Sequence, residues 1–451
     1  MRLLSIRTAV LVVLTILFLL GVGVFFVRYV QQGHLWAHHP TNRHYFTGGK
    51  IKTLGTVYDR AGRVLLQMTE DGLKYNENKT IRTALMHAVG DEDGNVATSA
   101  LVAFRERLTG WNRISGAYRF GSGQRNEQEL ILTLDADLCA KAYQELNGRK
   151  GAVGVYNYRT GEILCMVSSP SFDPQAPPAD LDPEKYEGVF LNRFFSAAYT
   201  PGSIFKLVTA AAALEQLEEI ATAEYLCQGR MEIGGEKVTC MTAHGKVTLK
   251  EALAYSCNIA FAHIALELGA ERLQEYANQV GFNAALVVDD IKTAQGKFDV
   301  TKAGGADLAW AGIGQYTNTA NPLNFMAFMG AIANKGVRVT PTILKNKGPL
   351  SILGGREKKQ ILAPETAAEL AAMMRNNTLT SYGEENFKGL ELAAKSGTAE
   401  VGGGKRPHAW FAGFLAREDY PLAFVVIIEN GGVGSRTAAK VAANVLQYAV
   451  N

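Results

Sequence analysis

No basic tract interleaved with aromatic residues occurs in these 451 residues, and the formal net charge is only +3. That field is too weak to hold a nucleic acid. Low-complexity segments and internal repeats are also missing. With 47% hydrophobic and 20% charged residues, the composition is that of a folded protein and not of a disordered one. The five cysteines, Cys139, Cys165, Cys227, Cys240 and Cys257, include no Cys-x-x-Cys pair. The usual local signature of a zinc or redox site is therefore absent, and neither a metal nor a cofactor is expected. Long apolar runs are scarce as well, and the exception is informative.

From Thr8 to Val27 the chain carries no charge and consists mostly of Leu, Val, Ile and Phe. About 20 apolar residues in a helix span a bilayer core, whereas a buried helix of a soluble domain keeps a polar face. A cleaved signal peptide has a shorter apolar region and a small-residue cleavage site, and none precedes Arg28 and Tyr29. A signal anchor is expected, with one span and the bulk of the chain outside the cytoplasmic membrane. Arg2 and Arg7 precede the span, but Arg28, Arg43 and Lys50 follow it, so the orientation rests on the shortness of the leading segment and not on charge.

A chain of this length exceeds one hydrophobic core. The expected organisation is a cytoplasmic segment and anchor over residues 1–30, a small accessory domain over 31–130 and a larger domain over 131–451. In the accessory stretch, Gly55 to Arg60 and Arg63 to Gln67 predict two strands about a turn at Ala61-Gly62, and Val96 to Leu108 predicts a helix. Near the boundary, Leu130 to Leu134 is strand-like and Asp135 caps a helix carrying Leu138, Ala142 and Leu146 on one face. Gly151 to Tyr156 and Glu162 to Ser168 form a hairpin, and three more strands, Leu392 to Glu400, Ala409 to Leu415 and Leu422 to Glu429, precede a helix over Thr437 to Ala449. The middle is mostly helical, including Ile204 to Glu218, Leu249 to Leu268 and Asn321 to Asn334. An α+β domain follows, with one antiparallel sheet gathered from both ends and a helical lobe beside it.

Cys227 and Cys240 flank Met231 to Val238, an alternating run broken by Gly234-Gly235 that predicts a hairpin able to bring the sulfurs together. Either a disulfide in an oxidising compartment or two buried thiols fits that pattern.

Three short clusters carry chemistry. In Thr200-Pro201-Gly202-Ser203-Ile204-Phe205-Lys206 a turn runs into an apolar helix, so Ser203 sits at its start and Lys206 one turn on, projecting from the same face. Partial positive charge at a helix start and burial both disfavour a lysine cation, which suits a neutral amine that takes the serine proton. Ser-x-x-Lys alone proves little, since chance supplies about one match in a chain this long. Its companions are Ser256 and Asn258, a hydroxyl and an amide fit to relay a proton and to bind a peptide, and Lys395-Ser396-Gly397-Thr398 on a strand. Lys395 with the hydroxyls of Ser396 and Thr398 makes a seat for a terminal carboxylate, and Gly397 permits a close approach by another backbone or a ligand. A backbone N–H of this strand and that of Ser203 together suit an oxyanion hole.

In this order and spacing the clusters resemble the penicillin-binding protein and serine β-lactamase superfamily. The likeness extends to Arg159 to Glu162, Ser169 to Pro174, Asn192-Arg193, Gly312 to Gln315, Ala333 to Gly336 and His408 to Gly413, and in front to His39 to Arg43 and Thr56 to Gly62. It implies a monofunctional class B peptidoglycan D,D-transpeptidase. Ser203 would be the acylated nucleophile, Lys206 the base, Ser256 the shuttle, Asn258 a substrate ligand and Lys395, Ser396, Gly397 and Thr398 the carboxylate-binding strand. Implied partners are D-Ala-D-Ala stem peptides with an amine acceptor, β-lactams and a SEDS-type glycan polymerase. Ser396 stands where the family often has threonine, and the hydroxyl is kept. A D,D-carboxypeptidase, a β-lactamase and a membrane-anchored β-lactam sensor or scaffold share the clusters. No deacylation carboxylate is recognisable, since Glu215, Glu218 and Glu219 lie several turns along the helix after Ser203.

Overall fold

The computed structural model describes residues 2–37, 46–47, 50–51, 55–69, 71–109, 111–112, 117–118, 129–182, 184–345 and 357–451. His39 to Arg43 lies outside them. The described residues form two compact units, one drawing on Met1–Thr56, Gln67–Lys74 and Phe104–Leu130, the other on Val57–Leu66, Tyr75–Ala103 and Ile131–Asn451. Part of the stretch assigned from sequence to 31–130 thus packs with the larger body.

In the first unit, helix α1 (Arg2–Ala37) contains Ile6–Tyr29, 24 residues of mean hydropathy 3.1. Such a helix is roughly 36 Å long, enough by length and composition to cross a bilayer. Its apolar side chains, among them Leu11, Phe18 and Phe26, are exposed.

The second unit is built on a five-stranded antiparallel sheet. Its strands are β1 (Gly151–Asn157), β2 (Ile163–Ser169), β3 (Leu392–Ala399), β4 (His408–Leu415) and β5 (Leu422–Ile428), in the spatial order β2-β1-β5-β4-β3. Both ends of the domain supply it, as the strand patterns predict. Every residue of β5 is buried, so both faces are covered. Helix Pro322–Ala333 packs on one, and helices Ala136–Leu146, capped by Asp135, and Ala438–Val450 pack on the other. Gly154 and Gly330 allow this closeness, because a Cβ would meet Phe194 at 2.1 Å in the first case and the Tyr156 hydroxyl at 1.7 Å in the second.

Several expected elements are shorter. The strand over Leu130 to Leu134 is confined to Leu130–Ile131, and the helix over Val96 to Leu108 is two short pieces, Ala100–Ala103 and Arg105–Thr109. The turn at Ala61-Gly62 is held by Asp59, whose carboxylate accepts from the backbone N–H groups of Ala61 and Arg63. Leu249 to Leu268 is not one helix. It breaks into Leu249–Ala254 and Asn258–Gln279 because Ser256 takes a left-handed conformation, φ 53°. That break points the Ser256 and Asn258 side chains out of the helical register and into the site.

Candidate active site

The Ser203 turn is a 3-10 turn, Gly202–Ile204, feeding helix Lys206–Gln216. It is pinned from three sides. Gly202 N–H donates to Gly314 O at 2.9 Å, Trp410 Nε1 of β4 donates to Thr200 O at 2.9 Å, and a Cβ on Gly397 of β3 would lie 2.7 Å from Pro201 O. Gly397 therefore permits the close backbone approach expected of it. Upstream, the buried Arg193 guanidinium pairs with Glu429 at 2.6 Å, and Tyr199 donates to the same carboxylate at 2.9 Å. Removing one partner of such a pair costs about 3–5 kcal/mol, so this contact fixes the segment before the nucleophile to the end of β5.

Among the described residues two lysines, Lys206 and Lys395, are fully buried, and they meet at one hydroxyl. Lys206 Nζ donates to Ser256 O at 2.7 Å, Ser256 Oγ at 3.2 Å and Asn258 Oδ1 at 2.7 Å. Lys395 Nζ donates to Ser256 Oγ at 2.9 Å and to Ser396 O at 2.9 Å. Burial pushes Lys206 down to about 7, with Cys240 and Cys257 acting weakly in the other direction. Burial also lowers Lys395 well below the lysine range, with the charge of Lys206 adding to it. Ser256 Oγ accepts from both amines, which leaves its own O–H free to point elsewhere. The three donations of Lys206 describe the ammonium; the neutral amine makes two of them and turns its lone pair to a hydroxyl proton, and Ser256 can pass a proton onward.

Ser203, Ser256, Asn258, Ser396 and Thr398 line one open cleft of about 850 Å³, with Trp310, Gln315, Tyr316 and Tyr382. Lys395 is placed differently from expectation. Its amine turns inward to Ser256, while Ser396 and Thr398 of the same strand line the cleft. On β3, Ser396 N–H points away from β4 and donates to the Tyr382 hydroxyl at 2.8 Å. Antiparallel alternation turns Thr398 N–H to the same outer side, next to the Gly202-Ser203 turn. Tyr382 also donates to Ser396 Oγ at 3.1 Å. It comes from a short π-helix, Thr378–Tyr382, and no sequence pattern announced it.

The hairpin between Cys227 and Cys240 forms as predicted, Arg230–Ile233 against Glu236–Thr239 about Gly234-Gly235. The two cysteines are close but not bonded to each other, which corrects the disulfide alternative. Both sulfurs lie 3.5 Å from His244 Nδ1, and Cys257 joins them, so that the four ligand atoms fall within 4.8 Å of one another. Shared hydrogen bonding within the group holds the Cys240 thiol low and Cys257 high, because Cys257 donates to Cys240. Sequence reading missed this grouping, since its members are spread over 31 residues with no Cys-x-x-Cys among them.

A family profile described as the penicillin binding protein transpeptidase domain matches residues 151–447. The peptidoglycan D,D-transpeptidase PbpA of Mycolicibacterium smegmatis is 30% identical over 311 residues, covering 63% of this chain and 62% of that protein. PbpA of Mycobacterium tuberculosis is 30% identical over 339 residues, 67% of each. The matched part therefore spans about two thirds of the length of these relatives. Among solved structures, penicillin-binding protein A from M. tuberculosis as a ceftriaxone acyl-enzyme complex superposes with a TM-score of 0.77 at 23% identity, over 89% of this chain and 99% of that one. At that identity the likeness concerns the fold.

Proposed function

Because the chain belongs to the penicillin-binding protein transpeptidase family, we propose that it is a peptidoglycan D,D-transpeptidase working through an acyl-enzyme on Ser203. The observation that carries this reading is the convergence of two buried lysines on the Ser256 hydroxyl at the floor of the cleft that Ser203 lines.

Ser203 Oγ attacks the carbonyl carbon of the penultimate D-alanine of a stem peptide while Lys206 takes its proton. The oxyanion that forms accepts from the backbone N–H groups of Ser203 and Thr398. Ser256, bonded to both amines, carries a proton to the leaving nitrogen, and the C–N bond to the terminal D-alanine breaks. The carboxylate of that D-alanine sits on the Ser396 and Thr398 hydroxyls, with the Lys395 amine behind Ser256. Asn258, whose amide donates to Thr239 O at 2.8 Å and accepts from Lys206, presents a fixed dipole at the peptide. An amine of a second stem then displaces Ser203. The helix over Ile6–Tyr29 is long and apolar enough for a single-pass anchor; in this reading the catalytic domain lies outside the cytoplasmic membrane and works with a SEDS-type glycan polymerase. The parts of residues 31–130 that fall in the smaller unit would serve as an accessory domain.

Labelling with a fluorescent penicillin followed by peptide mapping tests the assignment. A single adduct on Ser203, lost in Ser203→Ala, is expected; an adduct on any other serine removes it.

A further inference from the structure

We propose that Cys227, Cys240, His244 and Cys257 form a structural zinc site at the border of the cleft. Four protein ligands of the Cys3His type make a closed tetrahedral site, with no position left for water. With metal–sulfur bonds of about 2.3 Å and a metal–nitrogen bond of about 2.05 Å, a tetrahedron has sulfur–nitrogen edges of roughly 3.5 Å and sulfur–sulfur edges of roughly 3.8 Å. Both measured Sγ to Nδ1 separations are 3.5 Å, and no pair of ligand atoms exceeds 4.8 Å. Closure onto the ion thus asks for about 1 Å of movement at most.

The ligands come from separate rigid elements. Cys227 ends the strand Tyr225–Cys227, Cys240 follows the hairpin with its N–H bonded to Gly229 O, and His244 precedes the strand Gly245–Val247, which pairs with the first. Cys257 caps the helix that starts at Asn258 and runs to a kink at Gly269. Around them stands the outer set of contacts that thiolate sites use. Asn258 N–H points at Cys240 Sγ at 3.3 Å and Ala260 N–H at Cys257 Sγ at 3.4 Å, and the helix start favours negative charge. The His244 ring is stacked on Tyr255, 8° from parallel, which aims Nδ1 at the sulfurs.

The segment also needs such a staple. Between Tyr225 and Val247 only Cys227, Val238 and Val247 are buried apolar residues, while Leu226 and Met241 are 54% and 98% exposed. Excursions without a core are held by disulfides or metals. On binding, three thiols lose their protons to solvent and the neutral imidazole gives its Nδ1 lone pair, so Zn2+ with three thiolates carries a net charge of −1. Zinc suits three sulfurs and one nitrogen in a tetrahedron, and it keeps the thiols from oxidising outside the cytoplasm. Because Cys257 stands between Ser256 and Asn258, the ion would also hold the turn that presents both to Lys206. That second consequence rests on the proposed acyl transfer; the metal site does not.

The test uses the full chain in detergent, reduced and freed of metal by chelation, then titrated with zinc alone and, in parallel, with cobalt(II). One equivalent per chain, tetrahedral cobalt bands with thiolate charge transfer, and zinc-dependent protection of three thiols from alkylation are expected. Cys227→Ser and His244→Ala should each weaken zinc binding by at least about tenfold to a hundredfold. Failure of the wild type to take up one equivalent, or isolation of the native chain with a Cys227–Cys240 disulfide, overturns the site whatever the penicillin chemistry does. Stoichiometric binding with no change in the rate of penicillin acylation on chelation would instead retain the site and overturn its role in positioning Ser256 and Asn258.

Discussion

The cleft has two walls made on opposite principles. One is the sheet edge, β3, backed by strands buried on both faces and pressed against the nucleophile turn backbone to backbone. The other is the excursion from Tyr225 to Val247, a hairpin nested inside an outer strand pair, with an exposed surface and a polar cluster of sulfur and imidazole for an interior. The first wall is fixed by close packing, where a single methyl group is felt. The second is fixed by a few directional contacts, and its backbone between those contacts is tolerant. Ser256 and Asn258 lie where the two meet, one bonded to the sheet's Lys395 and the other to Thr239 of the excursion.

The largest contrast should come from glycines on the two walls. At Gly397 a Cβ would face Pro201 O at 2.7 Å, Ile204 Cγ2 at 3.1 Å and Trp410 Cβ at 3.2 Å, none of which is the end of a flexible chain. Gly397→Val must therefore move the nucleophile turn. Since a displacement of about 1 Å can cost a hundredfold, penicillin acylation is expected to fall by about that factor or more. Gly234→Ala, at the hairpin tip with φ +58° and nothing within 4 Å, adds only about 1 kcal/mol of backbone strain and leaves acylation unchanged. Acylation rates of both variants, with thermal melts, decide it. Equal losses would mean that the walls do not differ in the way described.

A second effect, of intermediate size, belongs to the lysine between the walls. Lys206 is pushed down to about 7 by burial, so the fraction able to accept a proton grows as pH rises through 7. The acylation rate should climb over that interval and level off above it. The same group links to stability with the matching sign. The unfolded chain keeps the Lys206 proton up to the ordinary 10.5 while the folded one sheds it above about 7, so folding strengthens between those values and gains nothing further from this group above them. Lys206→Met should abolish acylation across the interval and remove this group's share of the stability change, while Lys395 keeps its own. An acylation profile with no rise near neutrality would remove Lys206 as the base.

Much of this was legible in the sequence, and the reasons are local. Strand alternation and turn residues outline the five strands to within a residue or two, and the one-turn spacing of Ser203 and Lys206 needs no tertiary information. What escaped depends on chain excursions that no period records. Ser256 and Asn258 fall just before the apolar segment Ile259 to Leu268, but nothing in the stretch from Leu249 marks the left-handed Ser256 that turns both into the cleft. His244 carried no signal because its cysteine partners lie at irregular distances. The inward turn of Lys395 follows from burial, and a strand pattern does not say which end of a lysine is buried.

The smallest expected effect tests whether the sheet wall is rigid at its outer edge as well as at its centre. Tyr382 is where β3 would otherwise present a free N–H: its hydroxyl accepts from Ser396 N–H at 2.8 Å and donates to Ser396 Oγ at 3.1 Å. The ring itself is held by packing edge-on against Phe411, centroids 5.4 Å apart, so Tyr382→Phe removes the oxygen and leaves the packing. A backbone N–H and a hydroxyl in a half-buried position then lose their partner, at a cost of about 1–3 kcal/mol. The strand keeps its eight-residue pairing with β4, so that cost should fall on the orientation of the Ser396 hydroxyl and leave the frame in place. Reaction with a small penicillin should slow by only a few-fold, while the apparent affinity for a donor peptide ending in D-Ala-D-Ala weakens by about tenfold, the factor carried by roughly 1.4 kcal/mol. Parallel measurement of both separates a carboxylate seat from a scaffold role. If donor and penicillin are affected alike, with a lowered melting temperature, Tyr382 serves the frame and Ser396 is not the seat.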